Sequence, residues 1–353
     1  MSAEFVTTHA QHAQMMVTPA ALDAAYTWVC RQRRHFPPDA DIWHLRFHWP
    51  RERRRILDAL RNGTCRLAPL SVVTKASGER LALWSAADAL VIRALAQYLR
   101  SRLPVHPSCE HVRGHGGGRA SLARIHHLVR DRRFAFVCRT DIRQYYANID
   151  KTHLLVQLRT YIDDPMVLDL LSQFLYYSVE RGGLFHTPAK GIARGSALSP
   201  LLAAFHLYAL DKTLSDNPQI RYVRYMDDIL IFACTRWHLR NAVARLNQQL
   251  NDFGFIQHPD KTFIGKVEKG FDWMGFMFTA RGCVAVAPRA LSNHAQQCRR
   301  LYEQARRTGT VASAVRRVAA YRNRWDGWVH TGTHLLVALA SELRSTRRPA
   351  SLQ

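Results

Sequence analysis

The first feature of the sequence that could do chemistry is an acidic pair. Asp227 and Asp228 are adjacent and complete the tetrapeptide YMDD, which begins at Tyr225. Short apolar runs on both sides predict a β-hairpin with the two carboxylates at its tip. Adjacent side chains point to opposite faces of a flat strand, but the twist at a hairpin tip lets both carboxylates come close to the same point in space. They repel each other there unless a cation lies between them.

A third carboxylate completes a set of ligands for hard metal ions. Asp141 ends a strand-like run, FAFVCRT, that extends from Phe134 to Thr140. Converging carboxylate oxygens suit Mg²⁺. Two such ions about 3.5–4 Å apart activate an attacking hydroxyl and stabilise the leaving oxygen in phosphoryl transfer, as in polymerases and some nucleases. Taken alone, the tetrapeptide also fits a simple acidic turn beside an aromatic residue.

The charge balance indicates a polyanionic partner. The 353 residues include 50 Lys and Arg against 27 Asp and Glu, which gives a formal net charge of +23. Basic clusters such as Arg51 to Arg55 and Arg299 to Arg307 recur along the whole chain. This distribution favours a folded basic cleft for nucleic acid over a basic tail, although each cluster by itself also fits a solvated helix face.

Other function classes are disfavoured. The seven cysteines form no CxxC pair, so structural zinc and disulfides are not expected. No apolar stretch reaches the length of about eighteen residues that a membrane span needs, and the N-terminus lacks the pattern of a signal peptide. We therefore expect a soluble, cytoplasmic protein without membrane contact.

The elements that must position the carboxylates alternate between strands and helices. A strand is predicted from Leu67 to Thr74 and a basic helical region after Pro288. Strands separated by helices predict an α+β fold with helices on one face of a sheet. Further helical spacing occurs at Pro19 to Asn62, Ala86 to Leu103, Leu154 to Tyr177, Pro200 to Leu214 and Leu239 to Phe253.

Five ordered segments of the sequence resemble the palm motifs of reverse transcriptases. The resemblance runs from about Leu67 to Phe278 and is to the bacterial branch that contains group II intron, group II intron-like, retron and defence-associated enzymes. It implies a right-hand polymerase with fingers, a palm of antiparallel sheet backed by helices, and an α-helical thumb. The segments are TDIRQYYANID (Thr140 to Asp150), KGIARGSALSPLLAAFHLYALD (Lys190 to Asp211), YMDD, HPDKT (His258 to Thr262) and FDWMGFMF (Phe271 to Phe278).

The resemblance also implies a domain order and an activity. Residues 1–130 would form N-terminal helices and fingers, residues 131–288 a palm with inserted fingers helices at about 151–190, and residues 289–353 the thumb. The implied activity is RNA-directed DNA polymerisation, in which a DNA or RNA primer is extended with dNTPs on an RNA template.

The catalytic residues follow from matching motif positions. Asp141, Asp227 and Asp228 match the metal-binding aspartates of the family, and the backbone carbonyl of Ile142 would add a hard oxygen ligand. Lys261 in HPDKT matches the position proposed to protonate or neutralise the departing pyrophosphate. The implied cofactors are two Mg²⁺ ions, with Mn²⁺ as a substitute.

Several residues match positions that contact the incoming nucleotide. Tyr146 falls where the family places a ring under the sugar, which would exclude a 2′-hydroxyl and favour deoxynucleotides. The adjacent Tyr145 leaves the register open, and a core aromatic is the other interpretation. Tyr225 and Met226 belong to the same nucleotide-binding motif as the acidic pair.

Two further segments match nucleotide-binding positions. Arg194, Gly195 and Ser196 match the loop that supports the templating base and the nucleotide, although many relatives have Gln in place of Arg194. Lys75 and Arg80 match the fingers hairpin that grips the triphosphate, and their other interpretation is two solvated charges.

The last motif concerns the primer. Trp273 and Gly275 resemble the hairpin that supports the primer terminus, and for Trp273 a place in the sheet core is an equally good interpretation. His111 to Gly118, HVRGHGGG, is a glycine-rich basic loop that could approach a phosphate backbone.

Three functions fit this pattern. An RNA-directed DNA polymerase is favoured over a maturase-like RNA-binding protein of a group II intron-like element, because the aspartate triad is intact. Tyr146 and Met226 favour it over an RNA-dependent RNA polymerase. For the biological role, we expect the protein to act with a dedicated non-coding RNA in an antiviral defence system or a retroelement. The type of primer and the oligomeric state are open.

Overall fold

The structure is a computed structural model that describes residues 17–74, 80–112 and 114–345. Its helices are α1 (Pro19–Gln32), α2 (Asp41–Phe47), α3 (Trp49–Arg61), α4 (Ala86–Leu99), α5 (Gly117–Arg130), α6 (Tyr145–Asn148), α7 (Lys151–Arg159), α8 (Pro165–Leu175), α9 (Ser199–His206), α10 (Tyr208–Ser215), α11 (Arg236–Asp252), α12 (Pro288–Thr308) and α13 (Val311–Ser345). Its strands are β1 (Leu70–Thr74), β2 (Arg80–Leu83), β3 (Phe136–Asp141), β4 (Val179–Arg181), β5 (Leu184–His186), β6 (Ile220–Tyr225), β7 (Asp228–Ala233), β8 (Phe263–Lys266), β9 (Phe271–Trp273), β10 (Phe276–Thr279) and β11 (Gly282–Val286).

Caps and prolines decide where the helices begin. The stretch from Leu154 to Tyr177, which has helical spacing, is divided between two helices, α7 and α8. Asp164 caps α8 by accepting a hydrogen bond from the backbone N–H of Val167 at 2.9 Å, and Pro165 occupies the first turn. Proline has no N–H to continue a preceding helix but fits the first turn of a new one. The stretch from 200 to 214 is likewise divided between α9 and α10.

The described residues fall into two compact units. The first takes those of 1–75, 80–105 and 144–208, and the second those of 106–143 and 209–353. In the first unit the strand order is β2-β1-β4-β5, with β1 and β4 parallel and the other pairs antiparallel. Helix α1 packs against α4 in this unit. The division into three domains that the sequence indicates differs from these two units and stays a prediction.

The second unit contains two antiparallel sheets. One has the order β6-β7-β3-β8, is backed by α11, and carries the predicted hairpin; the other has the order β11-β10-β9. A hydrophobic core connects both sheets with α5 and includes Leu122, Ile125, Val223, Leu230, Phe232, Phe271, Phe276 and Phe278. The predicted α+β class, with antiparallel sheets backed by helices, is confirmed.

The structure also bears on membrane contact. None of the helices in the described ranges combines the length and the apolar character that crossing a bilayer requires.

Candidate functional site

Strands β6 and β7 form the predicted hairpin. Tyr225 at the end of β6 pairs with Asp228 at the start of β7, so that Met226 and Asp227 make a two-residue turn. Met226 has a φ of 56°, in the left-handed region. That conformation costs a residue with a side chain roughly 1–2 kcal/mol, so neighbouring groups must hold it in place.

Two side chains hold this turn. The backbone N–H of Met226 donates to Nδ1 of His111 at 3.0 Å, and its carbonyl accepts from Nη1 of Arg224 at 3.0 Å. The sequence predicted no role for Arg224, and it placed His111 only in a glycine-rich loop that could approach a phosphate backbone. His111 belongs to the glycine-rich loop, which is far from Met226 in sequence, whereas Arg224 lies on β6 within the same hairpin. The turn therefore depends on tertiary contacts as well as on its own residues.

Arg224 is itself part of a buried ion pair. Its Nε lies 2.7 Å from Oδ1 of Asp211 and its Nη2 lies 2.5 Å from Oδ2, and both side chains are completely buried. The Tyr222 hydroxyl donates to Oδ1 of Asp211 at 2.8 Å. Burial acts to lower the pKa of Arg224, but the Asp211 carboxylate outweighs it and holds that pKa well above the usual value. The pair therefore stays charged and braces the strand below the turn.

The structure brings the three predicted aspartates together. In the strand register, Asp141 lies opposite Asp228, and the backbone N–H of Ile142 donates to the carbonyl of Asp227 at 3.0 Å. One ligand oxygen from each of Asp141, Asp227 and Asp228 lies within 4.8 Å of the other two. Converging carboxylate oxygens at this spacing fit a hard divalent cation. The carbonyl of Ile142 as a further ligand stays a prediction.

The electrostatics of this acidic cluster leave negative charge uncompensated. The pKa of Asp228 is raised to about 6 because the carboxylate is largely buried, an effect that Arg139 opposes and the charges of Asp227 and Asp141 increase. A carboxylate whose ionisation is disfavoured by burial and by like charges is stabilised by a nearby cation. The residues present therefore fit a divalent metal ion in donor type and in charge.

Two basic residues contact the cluster. Lys261 lies in a 3-10 turn, Pro259–Lys261, and its Nζ is 2.8 Å from Oδ2 of Asp141. Arg139 on β3 places Nη2 3.2 Å from Oδ1 of Asp228. The motif reading missed Arg139, although one signal was available: a residue two positions before Asp141 on a strand shares its face.

The hairpin of β9 and β10 corrects one prediction. Trp273 is completely buried, and its indole N–H donates to Oγ of Ser121 at 2.9 Å, so its side chain belongs to the core and cannot touch a primer. Of the two interpretations left open by the sequence, the structure supports the sheet core. Gly275 has a φ of 83° and abuts the Trp328 ring, where a Cβ would lie 2.6 Å from ring carbons.

The glycine-rich loop ends against both hairpins. A Cβ at Gly118 would lie 2.7 Å from Cε of Met274 and 3.8 Å from the hydroxyl of Tyr225. Glycine at the start of α5 allows this close approach without a shift of the flexible Met274 side chain. Gly118 therefore packs against Met274 and Tyr225, a contact that the composition of the loop did not predict.

In the first unit, the structure separates the two adjacent tyrosines. Tyr145 is 1% exposed and donates its hydroxyl to the carbonyl of Ala203 at 2.6 Å. Tyr146 is half-buried, and its carbonyl accepts from the N–H of Ile192 at 2.9 Å. Gly191, with a φ of 86°, permits this approach, because a Cβ there would lie 2.9 Å from the Tyr146 oxygen. Tyr145 is thus the core aromatic, whereas Tyr146 is partly exposed.

The remaining predicted nucleotide contacts also lie in the first unit. Arg194 and Arg80 are exposed and make no ion pair within the part of the chain that the structure describes. Gly195 has a φ of 78° with nothing within 4 Å of a Cβ. The Ser196 hydroxyl bonds inside its own loop, accepting from the N–H of Ser199 at 3.0 Å. Lys75 lies outside the described residues.

Comparison with known proteins gives one family. The family model described as "Reverse transcriptase (RNA-dependent DNA polymerase)" matches residues 88–278. No curated protein sequence matches the chain. One solved structure that is similar is the apo telomerase of Candida tropicalis truncated from its C-terminal domain, with 12% identity and a TM-score of 0.43. The alignment covers 55% of this chain and 43% of that one, so the chain spans less than half the length of this solved relative.

Proposed function

Because the chain belongs to the reverse transcriptase family, we propose that it is an RNA-directed DNA polymerase that extends a DNA or RNA primer with dNTPs on an RNA template. The convergence of Asp141, Asp227 and Asp228 within 4.8 Å of one another carries the proposal. The five ordered motifs support a place in the bacterial branch of group II intron-like, retron and defence-associated enzymes.

The chemistry we propose is two-metal-ion phosphoryl transfer. Asp141, Asp227, Asp228 and the carbonyl of Ile142 would hold two Mg²⁺ ions, or Mn²⁺ in their place. Such ions supply a lowered pKa for the attacking hydroxyl and stabilise the charge on the leaving oxygen. Lys261 would give a proton or a positive charge to the departing pyrophosphate, which is supported by its Nζ lying 2.8 Å from the cluster.

The nucleotide-binding role rests on the other motif residues. We propose that Tyr146 selects against the 2′-hydroxyl, since it stands at the matching motif position and Tyr145 is buried in the core. Arg194, an exposed cation in place of the usual Gln, would stack on or hydrogen-bond the nucleotide. The remaining proposed contacts with the nucleotide or the primer are Lys75, Arg80, Gly195, Ser196, Tyr225, Met226 and Gly275.

We propose a structured RNA as the natural partner. The net charge of +23 supports tight binding to a polyanion beyond the primed duplex itself. A dedicated non-coding RNA, in a defence system or a retroelement, fits this charge. Sequencing the RNA that copurifies with the protein tests this point, and recovery of only random cellular RNA would contradict it.

The test of the activity is a double substitution of the acidic pair. Asp227→Ala with Asp228→Ala should abolish dNTP incorporation on a primed RNA template, because two of the three carboxylates that hold the ions are lost. RNA binding, measured by filter retention, should remain near that of the unmodified protein.

The matched control removes two carboxylates elsewhere in the same unit. Asp216 and Asp252 are both exposed, and the variant Asp216→Ala with Asp252→Ala should retain incorporation. Primer extension by the Asp227, Asp228 variant would disprove the assignment. RNA binding by the unmodified protein without any extension would favour a maturase-like function instead.

Sugar selection is tested at the two tyrosines. Tyr146→Ala should admit ribonucleotides and reduce discrimination against them by roughly tenfold to a hundredfold, since a steric barrier is removed. The measurement is the ratio of kcat/KM for dGTP and GTP on one template. Tyr145→Phe is the control, because it deletes only the hydroxyl that bonds Ala203. Unchanged discrimination in Tyr146→Ala would place the selecting group elsewhere.

A further inference from the structure

The guanidinium of Arg139 joins three segments of the second unit. Its Nη1 donates to the carbonyl of Lys261 at 2.7 Å, and its Nη2 donates to Oδ1 of Asp228 at 3.2 Å. The same Nη2 lies 3.3 Å from Oδ2 of Asp272 on β9. One cation therefore contacts the start of β7, the turn that carries Lys261 and the β9–β10 hairpin.

We propose that Arg139 is a positioning residue for the acidic cluster. It fixes the carboxylate of Asp228 and the main chain of Lys261 in one arrangement. Through Asp272 it also couples the position of the β9–β10 hairpin to the metal-binding carboxylates. The consequence for polymerisation rests on the proposed function, while the consequence for metal binding does not.

The choice of side chain supports a geometric role. The Arg139 side chain is 10% exposed, whereas those of Asp228 and Asp272 are 29% and 36% exposed. A planar guanidinium offers donors in a fixed fork, so it can contact three acceptors at once; an ammonium group is a point charge on a flexible stem. Its Nε is buried without a hydrogen-bond partner among the described residues. Burying a partly satisfied cation is a poor way to add stability, which favours a role in placing its partners.

Positioning and simple electrostatics predict opposite results. A cation 3.2 Å from Asp228 competes with a metal ion for that carboxylate, so electrostatics alone predict that removing Arg139 tightens metal binding. If Arg139 instead orients a metal ligand, its removal should weaken metal binding. Loss of such orienting groups typically weakens metal affinity by about 10–100-fold. The sign of the change therefore separates the two roles.

The experiment measures Mn²⁺ binding to the full chain by electron paramagnetic resonance, without nucleic acid. Arg139→Gln should weaken binding by about 10–100-fold, and Arg139→Lys should give an intermediate value. Arg221→Gln is the control, because Arg221 is exposed on β6 and makes no ion pair in the described part of the chain. Binding by Arg139→Gln that equals or exceeds that of the unmodified protein would overturn the proposal.

The coupling to the β9–β10 hairpin is tested with Asp272→Asn. This substitution at a partly exposed side chain should weaken Mn²⁺ binding by a smaller factor than Arg139→Gln. The double variant should bind about as weakly as Arg139→Gln alone, since residues that act through one contact are not additive. The coupling would be disproved if the double variant lost the product of the two single losses in Mn²⁺ affinity, or if Asp272→Asn bound Mn²⁺ as tightly as the unmodified protein. If Arg139→Gln does not fold, Arg139→Lys and Asp272→Asn still decide the sign.

The readouts keep this inference apart from the proposed function. An unmodified protein that binds Mn²⁺ but incorporates no dNTP would refute the polymerase and leave the Arg139 test intact. Incorporation together with tighter Mn²⁺ binding by Arg139→Gln would refute the positioning role alone.

Discussion

Two charged clusters are attached to opposite faces of the β6–β7 hairpin, and they differ in how their charges are balanced. On one face, Arg224 and Asp211 are completely buried and form a bidentate ion pair that Tyr222 extends. On the other face, Asp228 belongs to a partly exposed cluster of three carboxylates, and its own burial, reinforced by the charges of Asp227 and Asp141, raises its pKa to about 6. The strand register assigns the faces. Asp228 shares a face with its partner Tyr225, and Arg224, the neighbour of Tyr225 on β6, points to the opposite face.

The comparison distinguishes charged residues that hold the fold in place from charged residues that are suited to bind a metal ion. A buried ion pair whose partners are satisfied contributes a defined geometry, here the anchoring of the Met226 carbonyl by Arg224 at 3.0 Å. A cluster with excess negative charge costs folding free energy, which Arg139 and Lys261 offset in part and a bound cation would offset further. The hairpin therefore has one face that holds the turn and one face that is suited to bind metal.

The largest expected effect concerns the buried ion pair of Arg224 and Asp211. Asp211→Ala should destabilise the protein by about 3–5 kcal/mol, because it leaves the guanidinium of Arg224 buried without its partner. Urea unfolding followed by circular dichroism measures the change. Asp216→Ala, an exposed carboxylate five residues later, should have little effect. A loss below about 1 kcal/mol for Asp211→Ala would mean that Arg224 finds another partner or reaches solvent, and would remove the contrast between the two faces.

A smaller effect of opposite sign is expected in the acidic cluster. The pKa of Asp228 in the folded protein is about 6, above its usual 3.8, so the folded state binds the proton more tightly than the unfolded state. Stability should therefore fall as pH rises between about 4 and 6 and remain reduced above that range. Asn cannot ionise, so Asp228→Asn should be more stable by about 1–3 kcal/mol above pH 6 in the presence of a chelator.

Thermal unfolding of both proteins across this pH range tests the point. The stabilisation should vanish near pH 4, where Asp228 is protonated in the folded protein, and should shrink when Mg²⁺ is added. A variant that is less stable than the unmodified protein at pH 7 would show that the cluster is not under electrostatic strain.

The sequence was informative where a function requires a fixed order of residues. Strand β3, the hairpin and the convergence of Asp141 with Asp227 and Asp228 were all predicted, because short apolar runs rich in strand-forming residues mark the strands and the acidic residues stand at their ends. The sequence was less informative about contacts that join distant segments. The bond from Met226 to His111 and the contact of Gly118 with Met274 arise only when loops and hairpins pack together.

Only the structure could decide which of two neighbouring side chains, or which environment of a single side chain, belongs to the core. Tyr145 and Tyr146 have the same side chain, and a one-residue shift on a short helix decides which ring enters the core. Trp273 could face a primer or the core, and its complete burial follows from packing against α5, which is about 150 residues away in sequence.

The sequence by itself determined the class of fold, the family and the three carboxylates, since these depend on residue type, order and periodicity. The tertiary structure decided how the charges are distributed around those carboxylates. Arg139 bridges Asp228 and Asp272, while Arg224 is paired with Asp211 on the opposite face. Electrostatic interactions depend on distance and burial in three dimensions, and spacing along the chain specifies neither of these quantities.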